Sequence, residues 1–352
     1  MNLLLFNLAA DADDPILGFT TEWINRLAPH FEAVDVITMR SGRLAVADSV
    51  RVFSIGKERG LSEPHRAAEF YRLLISLLRE RSYGACFAHM MPLFAVMGAP
   101  LLRPRGVPIT LWYTHRQAHR TLKLAAAVSR RIVTAAPDSF PLSTPKLRAI
   151  GHGIDTDFFS PGDLPAAPQT IIHVARLMPI KHQATLIRAL TSVPDARAIF
   201  IGGTPPDVET APAYRASLEL LAVELGVSDR VSLAGDQNRA AVRDAYRTAA
   251  IAVNLSPPGL FDKAALESMA CGVPTITSSP AFDPLHGAFA PLVNLRQPDD
   301  HEGLAAALRR LLEDRDLRAQ IAEQQRRAVI DQHSLDGLIP RLASVLKTGE
   351  PQ

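Results

Sequence analysis

Two successive doubly wound α/β domains are the fold class this sequence predicts, and three observations carry that expectation. Short apolar runs alternate with longer helix-period segments along the chain, the order that builds a mostly parallel sheet covered on both faces. The alternation pauses once, at Asp157-Phe158-Phe159-Ser160-Pro161-Gly162-Asp163 and the Pro/Ala stretch through Pro168, and then restarts; such a stretch reads as an interdomain linker. The length of 352 residues suits two domains at about 150 residues each. The predicted limits are 1–157 and 158–334, with a last helix over about 335–352 folding back onto the first domain. Two such units face each other across a cleft, where strand C-termini from both address one ligand.

The elements follow in order. In the first half the predicted strands are Leu3–Phe6, Ala33–Thr38, Val50–Ser54, Ala85–Ala88, Ile109–Trp112, Arg131–Thr134 and Leu147–Ile150. Helix patterns lie between them at Thr20–Leu27, Ala67–Arg79, Leu93–Leu101 and Arg120–Val128. The second half predicts strands at Thr170–His173, Ala198–Ile201, Val231–Leu233, Ile251–Leu255 and Thr275–Thr277. Its helices are Gln183–Leu190, Tyr214–Leu225, Arg239–Ala249 and Lys263–Ala270, then amphipathic stretches at Leu304–Leu312 and Arg318–Val329. A final helix runs from about Leu335 to Leu346.

Composition narrows the function classes. With 47% hydrophobic and 21% charged residues the chain has the make-up of a globular protein with a sizeable core. A net charge of +2 with scattered positives does not make a nucleic-acid surface. Cys86 and Cys271 both lie in apolar stretches without C-x-x-C spacing, as buried thiols in a reducing compartment do. Met1-Asn2 leads straight into Leu3–Phe6 without a cationic region, so this run reads as a first strand rather than a signal peptide. No apolar stretch reaches the roughly 18 residues of a membrane span. A cytoplasmic protein is expected, with peripheral contact at the inner face of a membrane left open.

Two stretches carry the chemistry. In Ile171-Ile172-His173-Val174-Ala175-Arg176-Leu177-Met178-Pro179-Ile180-Lys181-His182-Gln183 a strand ends in a short loop bearing two cations and then enters a helix. Ligands bind at such strand C-termini, and a helix N-terminus adds partial positive charge. A diphosphate suits this arrangement, since a unit charge pair about 4 Å apart at an effective dielectric near 20 is worth roughly 4 kcal/mol before desolvation. The second stretch runs from Asn254 to Pro274 as strand, turn, helix, Gly stop and strand. Asp262 is placed as N-cap of the helix from Lys263, and Gly272 as its stop. Glu267 lies about one and a half turns in, where a carboxylate can accept from a pair of ribose hydroxyls. Read without further context, Arg176 and Lys181 are equally an ordinary surface loop pair, and Glu267 an exposed helix acid.

Together these stretches resemble the C-terminal domain of the family 4 (group 1) retaining glycosyltransferases, which have the GT-B fold of two Rossmann-like domains. The family loop G-R-L-x-x-x-K-G corresponds to Ala175-Arg176-Leu177-Met178-Pro179-Ile180-Lys181-His182. Its L-E-A-M-A-C-G-x-P segment corresponds to Leu266-Glu267-Ser268-Met269-Ala270-Cys271-Gly272-Val273-Pro274. Phe200-Ile201-Gly202-Gly203, the run from Val231 to Gly235 and Ile150-Gly151-His152-Gly153-Ile154-Asp155-Thr156-Asp157-Phe158 resemble further family segments in the same order. The resemblance covers about residues 85–300.

The resemblance implies that Arg176 and Lys181 hold the donor diphosphate, that Glu267 binds the donor ribose, and that Gly202 and Gly203 shape the loop near the nucleotide. It implies a catalytic part for His115, at the end of Leu111-Trp112-Tyr113-Thr114-His115, beside the reacting sugar; His89 and Gly18 join it on the acceptor side. The family's first glutamate falls on Gly259, which leaves the sugar contacts open. Phe261, Asp262 and Lys263 of the same turn are the candidates to supply them, with Asp262 equally a helix cap. His152 lies near the hinge, and His119 reads as structural. Asp11, Asp13 and Asp14 follow the first strand; Asp11-Ala12-Asp13 has the D-x-D form of metal-dependent glycosyltransferases, but a solvated turn is the preferred reading and no metal or other cofactor is expected.

The implied activity is that of a glycosyltransferase, a hexosyltransferase by preference, working with retention. It moves a sugar from a nucleoside-diphosphate sugar to a glycan, lipid-linked or small-molecule acceptor. Front-side attack is implied, with Arg176 and Lys181 stabilising charge on the departing diphosphate and domain closure excluding water. A dehydrogenase is disfavoured because Asn7-Leu8-Ala9-Ala10-Asp11-Ala12 after the first strand lacks G-x-G-x-x-G. A non-catalytic homologue that binds sugar nucleotides is the second reading, resting on Gly259 alone.

Overall fold

The computed structural model describes residues 1–14, 17–164, 167–204 and 211–351. Pro165 and Ala166 of the expected linker, and Gln352 of the expected last helix, lie outside the described residues. The chain forms two compact units, Met1–Gly153 with Leu335–Gln352, and Ile154–Ser334. The division falls after Gly153, where the sequence reading set it after Asp157.

In the first unit seven parallel strands lie in the order β3-β2-β1-β4-β5-β6-β7: β1 (Asn2–Ala10), β2 (Val34–Ser41), β3 (Val50–Ser54), β4 (Tyr83–His89), β5 (Ile109–Trp112), β6 (Arg131–Thr134) and β7 (Leu147–Ala149). The side-chain period of two in a strand sorts β1 onto both faces. Leu4 and Phe6 pack with Phe70, Leu74 and Phe94, while Leu3 and Leu5 pack with Trp23, Ile24 and Leu27. This second face is also covered by Leu338, Leu342 and Leu346 of the last helix, Leu335–Lys347. The first strand is longer than the apolar run Leu3–Phe6 suggests, because pairing with β2 continues to Ala10 opposite Ser41.

The second unit holds five parallel strands in the order β10-β9-β8-β11-β12: β8 (Ala167–Val174), β9 (Arg197–Ile201), β10 (Val231–Leu233), β11 (Ala249–Asn254) and β12 (Thr275–Thr277). Its core joins Ile171, Phe200, Ile251 and Ile276 of the sheet to Leu186, Leu218, Leu304 and Leu308 of the helices. After β12 the chain makes short helical turns at Asp283–His286 and Ala290–Val293, which the sequence reading did not contain; four-residue turns are too short to show a helical period. The amphipathic helices extend further than read, as His301–Glu313 and Arg315–His333, each with an aspartate side chain accepting a backbone N–H at its start.

Each unit has a point where the strand order reverses. In the first, the chain leaves β1 toward β2 and β3 and returns to β4 on the other side; in the second, it leaves β8 toward β9 and β10 and returns to β11. Such a reversal of strand order is where open α/β sheets bind ligands.

Candidate functional site

At the reversal point of the second unit, the loops after β8 and β11 meet. The loop after β8 carries Arg176 and then the tight turn Pro179–Lys181. Lys181 reaches across to the segment after β11: its Nζ lies 3.0 Å from Ser256 Oγ and 2.5 Å from Asp262 Oδ2. Asn254 Nδ2 donates to the same Oδ2 at 3.3 Å, and the Ser256 hydroxyl donates to it as well. Burial pushes the Asp262 carboxyl up, but the Lys181 charge and these hydrogen bonds outweigh it and hold the group below its ordinary value. Asp262 does stand before the helix Lys263–Ala270, yet its side chain makes no capping bond. The expected cap is corrected: an ammonium within reach is a stronger partner for the carboxylate than a backbone amide.

Arg176 differs from Lys181. Its guanidinium is exposed and makes no hydrogen bond or ion pair among the described residues, while its carbonyl accepts from Gln183 Nε2 at 2.9 Å. The two cations read alike from sequence are one exposed charge and one charge already paired.

Gly202 and Gly203 follow β9 and knit three loops together. Gly202 donates to Gly235 O at 2.8 Å, Leu177 donates to Gly203 O at 2.9 Å, and Gly203 donates to Asp236 Oδ1 at 2.6 Å. Gly202 has φ +136°, and a Cβ there would sit 2.2 Å from the Ala175 carbonyl oxygen. Side chains are excluded because the backbones of neighbouring loops meet at this point. Gly259 also has a positive φ, +86°, which accounts for glycine at the position where the resemblance places a carboxylate.

Glu267 projects from the helix after β11, half-buried, with no hydrogen bond to its carboxylate among the described residues. Burial raises its pKa, opposed by the charges of Lys263 and Arg239. Lys263 is half-buried beside it. The Phe261 ring is buried, 4.7 Å from Phe282 and 5.0 Å from His333.

The first unit gathers its own candidates at its reversal point. Gly18 opens the helix Phe19–Leu27 after β1, and a Cβ there would meet the Asp14 carbonyl oxygen at 2.7 Å. His89 ends β4 and is buried among aromatic rings, 5.0 Å from Trp23 and 6.1 Å from Trp112. His115 follows β5 and is exposed; its Nδ1 accepts from the Gln117 amide at 3.3 Å. His119 Nδ1 accepts from Leu122 N at 3.1 Å and so caps the helix Arg120–Val128. The acidic loop is held by arginines: Asp13 by a two-point contact with Arg43 at 2.7 Å, and Asp14 by Arg40. Asp11 accepts from the backbone of Asp13 and Arg43. The Asp13 carboxyl is held below its usual value by the hydrogen bond from Arg43.

Sequence reasoning missed His173, Asn254, Ser256 and Asp236. Each lies in a segment singled out or adjoining one, but none has a local signature; their roles come from partners on other strands.

Residues 155–328 match the family of glycosyl transferases, group 1. A D-inositol 3-phosphate glycosyltransferase of Mycobacteroides abscessus is 33% identical over 143 residues, a stretch covering 38% of this chain and 32% of that protein. The enzyme of the same name from Mycolicibacterium vanbaalenii is 28% identical over 179 residues, 46% of this chain and 40% of that protein. The chain thus spans well under half the length of these curated relatives. Among solved structures, sucrose-phosphate synthase from Thermosynechococcus elongatus is similar with a TM-score of 0.78 at 18% identity, over 98% of both chains. Anabaena HepE, in complex with UDP and glucose, is similar with a TM-score of 0.74 at 18% identity, over 99% of this chain and 100% of that one. At such identities the likeness shows the fold, which is GT-B.

Proposed function

From the match of residues 155–328 to the group 1 glycosyl transferases we propose that the chain is a member of that family and transfers a sugar from a nucleoside-diphosphate sugar, with retention, to a glycan, lipid-linked or small-molecule hydroxyl. The observation that supports this reading most is the cluster at the β8/β11 reversal point. There Lys181 is held by Asp262, the Arg176 guanidinium is exposed and unpaired among the described residues, and the Glu267 carboxylate on the helix after β11 makes no hydrogen bond among the described residues. Arg176 and Lys181 receive the diphosphate, and Glu267 accepts from the ribose hydroxyls. Gly202 and Gly203 shape the loop near the nucleotide, and Asp262 and Lys263 border the sugar. On the first unit His115 serves the transferred sugar or the attacking hydroxyl, with Gly18 on the acceptor side. His89, inside its aromatic cluster, is assigned to shaping that side rather than to touching substrate.

The chemistry asks for stabilisation of charge on the leaving diphosphate, which preorganised cations supply; this reading needs no metal. UDP-glucose is the first donor to try, because Anabaena HepE carries it. Ligand binding stabilises the native state by mass action, so UDP raises the melting temperature of the wild type above the effect of uridine. Arg176→Ala with Lys181→Ala removes that diphosphate increment and keeps the uridine increment. Equal shifts for wild type and double variant overturn the assignment. Retention is tested by the anomeric configuration of the product in NMR.

A further inference from the structure

His173 is one residue from the end of β8, the strand at the reversal point, and is buried to 1% exposure. Its Nε2 lies 3.0 Å from the carbonyl oxygen of Lys181, an atom that only accepts, so Nε2 carries the proton and donates it. The other ring nitrogen, Nδ1, is buried without a hydrogen-bond partner among the described residues. The ring lies against Phe200 of β9, with centroids 5.6 Å apart. Burial pushes the imidazole pKa down to about 4, so at neutral pH the ring is uncharged and the donor stays in place.

The carbonyl it holds has an unusual setting. Lys181 closes the tight turn Pro179–Lys181, and His182 after it adopts φ +53° and ψ +37°, a left-handed conformation that a residue with a Cβ occupies at a cost. The turn is closed locally by Lys181 N–H to the Met178 carbonyl at 2.9 Å and His182 N–H to the Pro179 carbonyl at 3.0 Å. Two further contacts reach Lys181 from outside the turn: the β8 imidazole at its carbonyl, and the Ser256 and Asp262 oxygens, after β11, at its ammonium. The lysine is held at both ends of its own length, between β8 and the segment after β11.

We infer that His173 is a positioning residue for Lys181, tethering the turn so that the ammonium is presented to the phosphate groups of the donor. The inference rests on the reading that Lys181 receives a diphosphate. A histidine that merely fills the core predicts a loss of stability and no selective loss for phosphate. A tether predicts a loss confined to ligands that use Lys181, recovered by any side chain that can donate to the same carbonyl.

The variants are His173→Phe, which keeps the ring and removes the donor, and His173→Gln, whose amide can donate again. In titrations with UDP and with uridine, His173→Phe weakens UDP by about three- to tenfold, the range of one neutral hydrogen bond, and leaves uridine unchanged. His173→Gln restores UDP. In the Lys181→Ala background, His173→Phe has no further effect on UDP. A second measurement needs no ligand: the rate at which an amine-reactive ester labels Lys181 rises in His173→Phe and returns toward wild type in His173→Gln. Parallel losses for UDP and uridine, an additive effect in the Lys181→Ala background, or unchanged Lys181 labelling overturns the inference. If His173→Phe does not fold, wild-type UDP affinity and labelling in His173→Gln, with a faster label in His173→Ala, carry the same comparison. A wild type that binds no nucleoside diphosphate but shows the labelling pattern overturns the diphosphate reading and keeps the tether.

Discussion

Glu267 shows how one side chain can be unfavourable for the fold and suited to a ligand. Its carboxylate is half-buried, makes no hydrogen bond among the described residues, and has its pKa raised above 4.5 by burial. The folded state therefore binds the proton more tightly than the unfolded state, and ionising the group costs stability as pH rises through the folded pKa. Glu267→Gln removes this cost, so without ligand the variant should melt higher than wild type at pH 7. The advantage should vanish below pH 4.5, where the carboxyl is protonated in both states. The same change should weaken UDP by about one to two orders of magnitude, because hydrogen bonds to a charged acceptor are worth about 1.5–3 kcal/mol. Melting curves at the two pH values and a UDP titration check both halves. A variant that melts lower at pH 7 and binds UDP as wild type would make Glu267 a structural helix acid.

At the scale of elements, the start of the loop after β9 leaves no room for a side chain at Gly202. Gly202 has φ +136°, and an added Cβ would press on the Ala175 carbonyl oxygen at 2.2 Å. Backbone cannot retreat as a flexible side chain can, so Gly202→Ala must displace either the β8 loop or its own. Strained φ/ψ alone costs about 1–3 kcal/mol, and the clash adds to it. The expected outcome is a lower urea midpoint for the second unit, with weaker UDP binding because the displaced β8 loop carries Arg176. An unchanged midpoint would mean that the loop adapts freely. The turn at Gly259 is constrained by its φ of +86°, whereas the helix after it begins without its expected cap because Asp262 is drawn to Lys181.

For the whole molecule, the last helix decides the stability of the first unit. Leu335–Lys347 lies far along the chain from β1, yet Leu338, Leu342, Val345 and Leu346 are fully buried in the core that includes Leu3, Trp23 and Phe87. Burying a large aliphatic side chain is worth about 1.5–3 kcal/mol, and a domain is stable by only about 5–15 kcal/mol. Removing residues 335–352 should therefore abolish cooperative folding of the first unit. The second unit, whose core is its own, should keep slow hydrogen exchange in β8, β9 and β11. Protection lost in both units, or kept in both, would contradict this division of cores.

The alternation of apolar runs and helix periods determined the fold class by itself, because side-chain period and turn chemistry are properties of neighbours in the chain. It also marked the loops after β8 and β11 as the place of the chemistry, since cations and small residues at strand ends are visible wherever strands are. What the chain could not reveal was which strands stand side by side. Lys181 and Asp262 are 81 residues apart in sequence, and only the order β10-β9-β8-β11-β12 brings their loops together, turning an expected helix cap into the partner of an expected free cation. The same holds for His173 beneath the Lys181 turn and for Phe261 against Phe282 and His333. It also holds for His89, which looks like a histidine offered at a strand end and is instead enclosed by Trp23 and Trp112. Local sequence sets what each segment can be, and long-range packing sets which polar groups meet; the candidate site is built from that meeting.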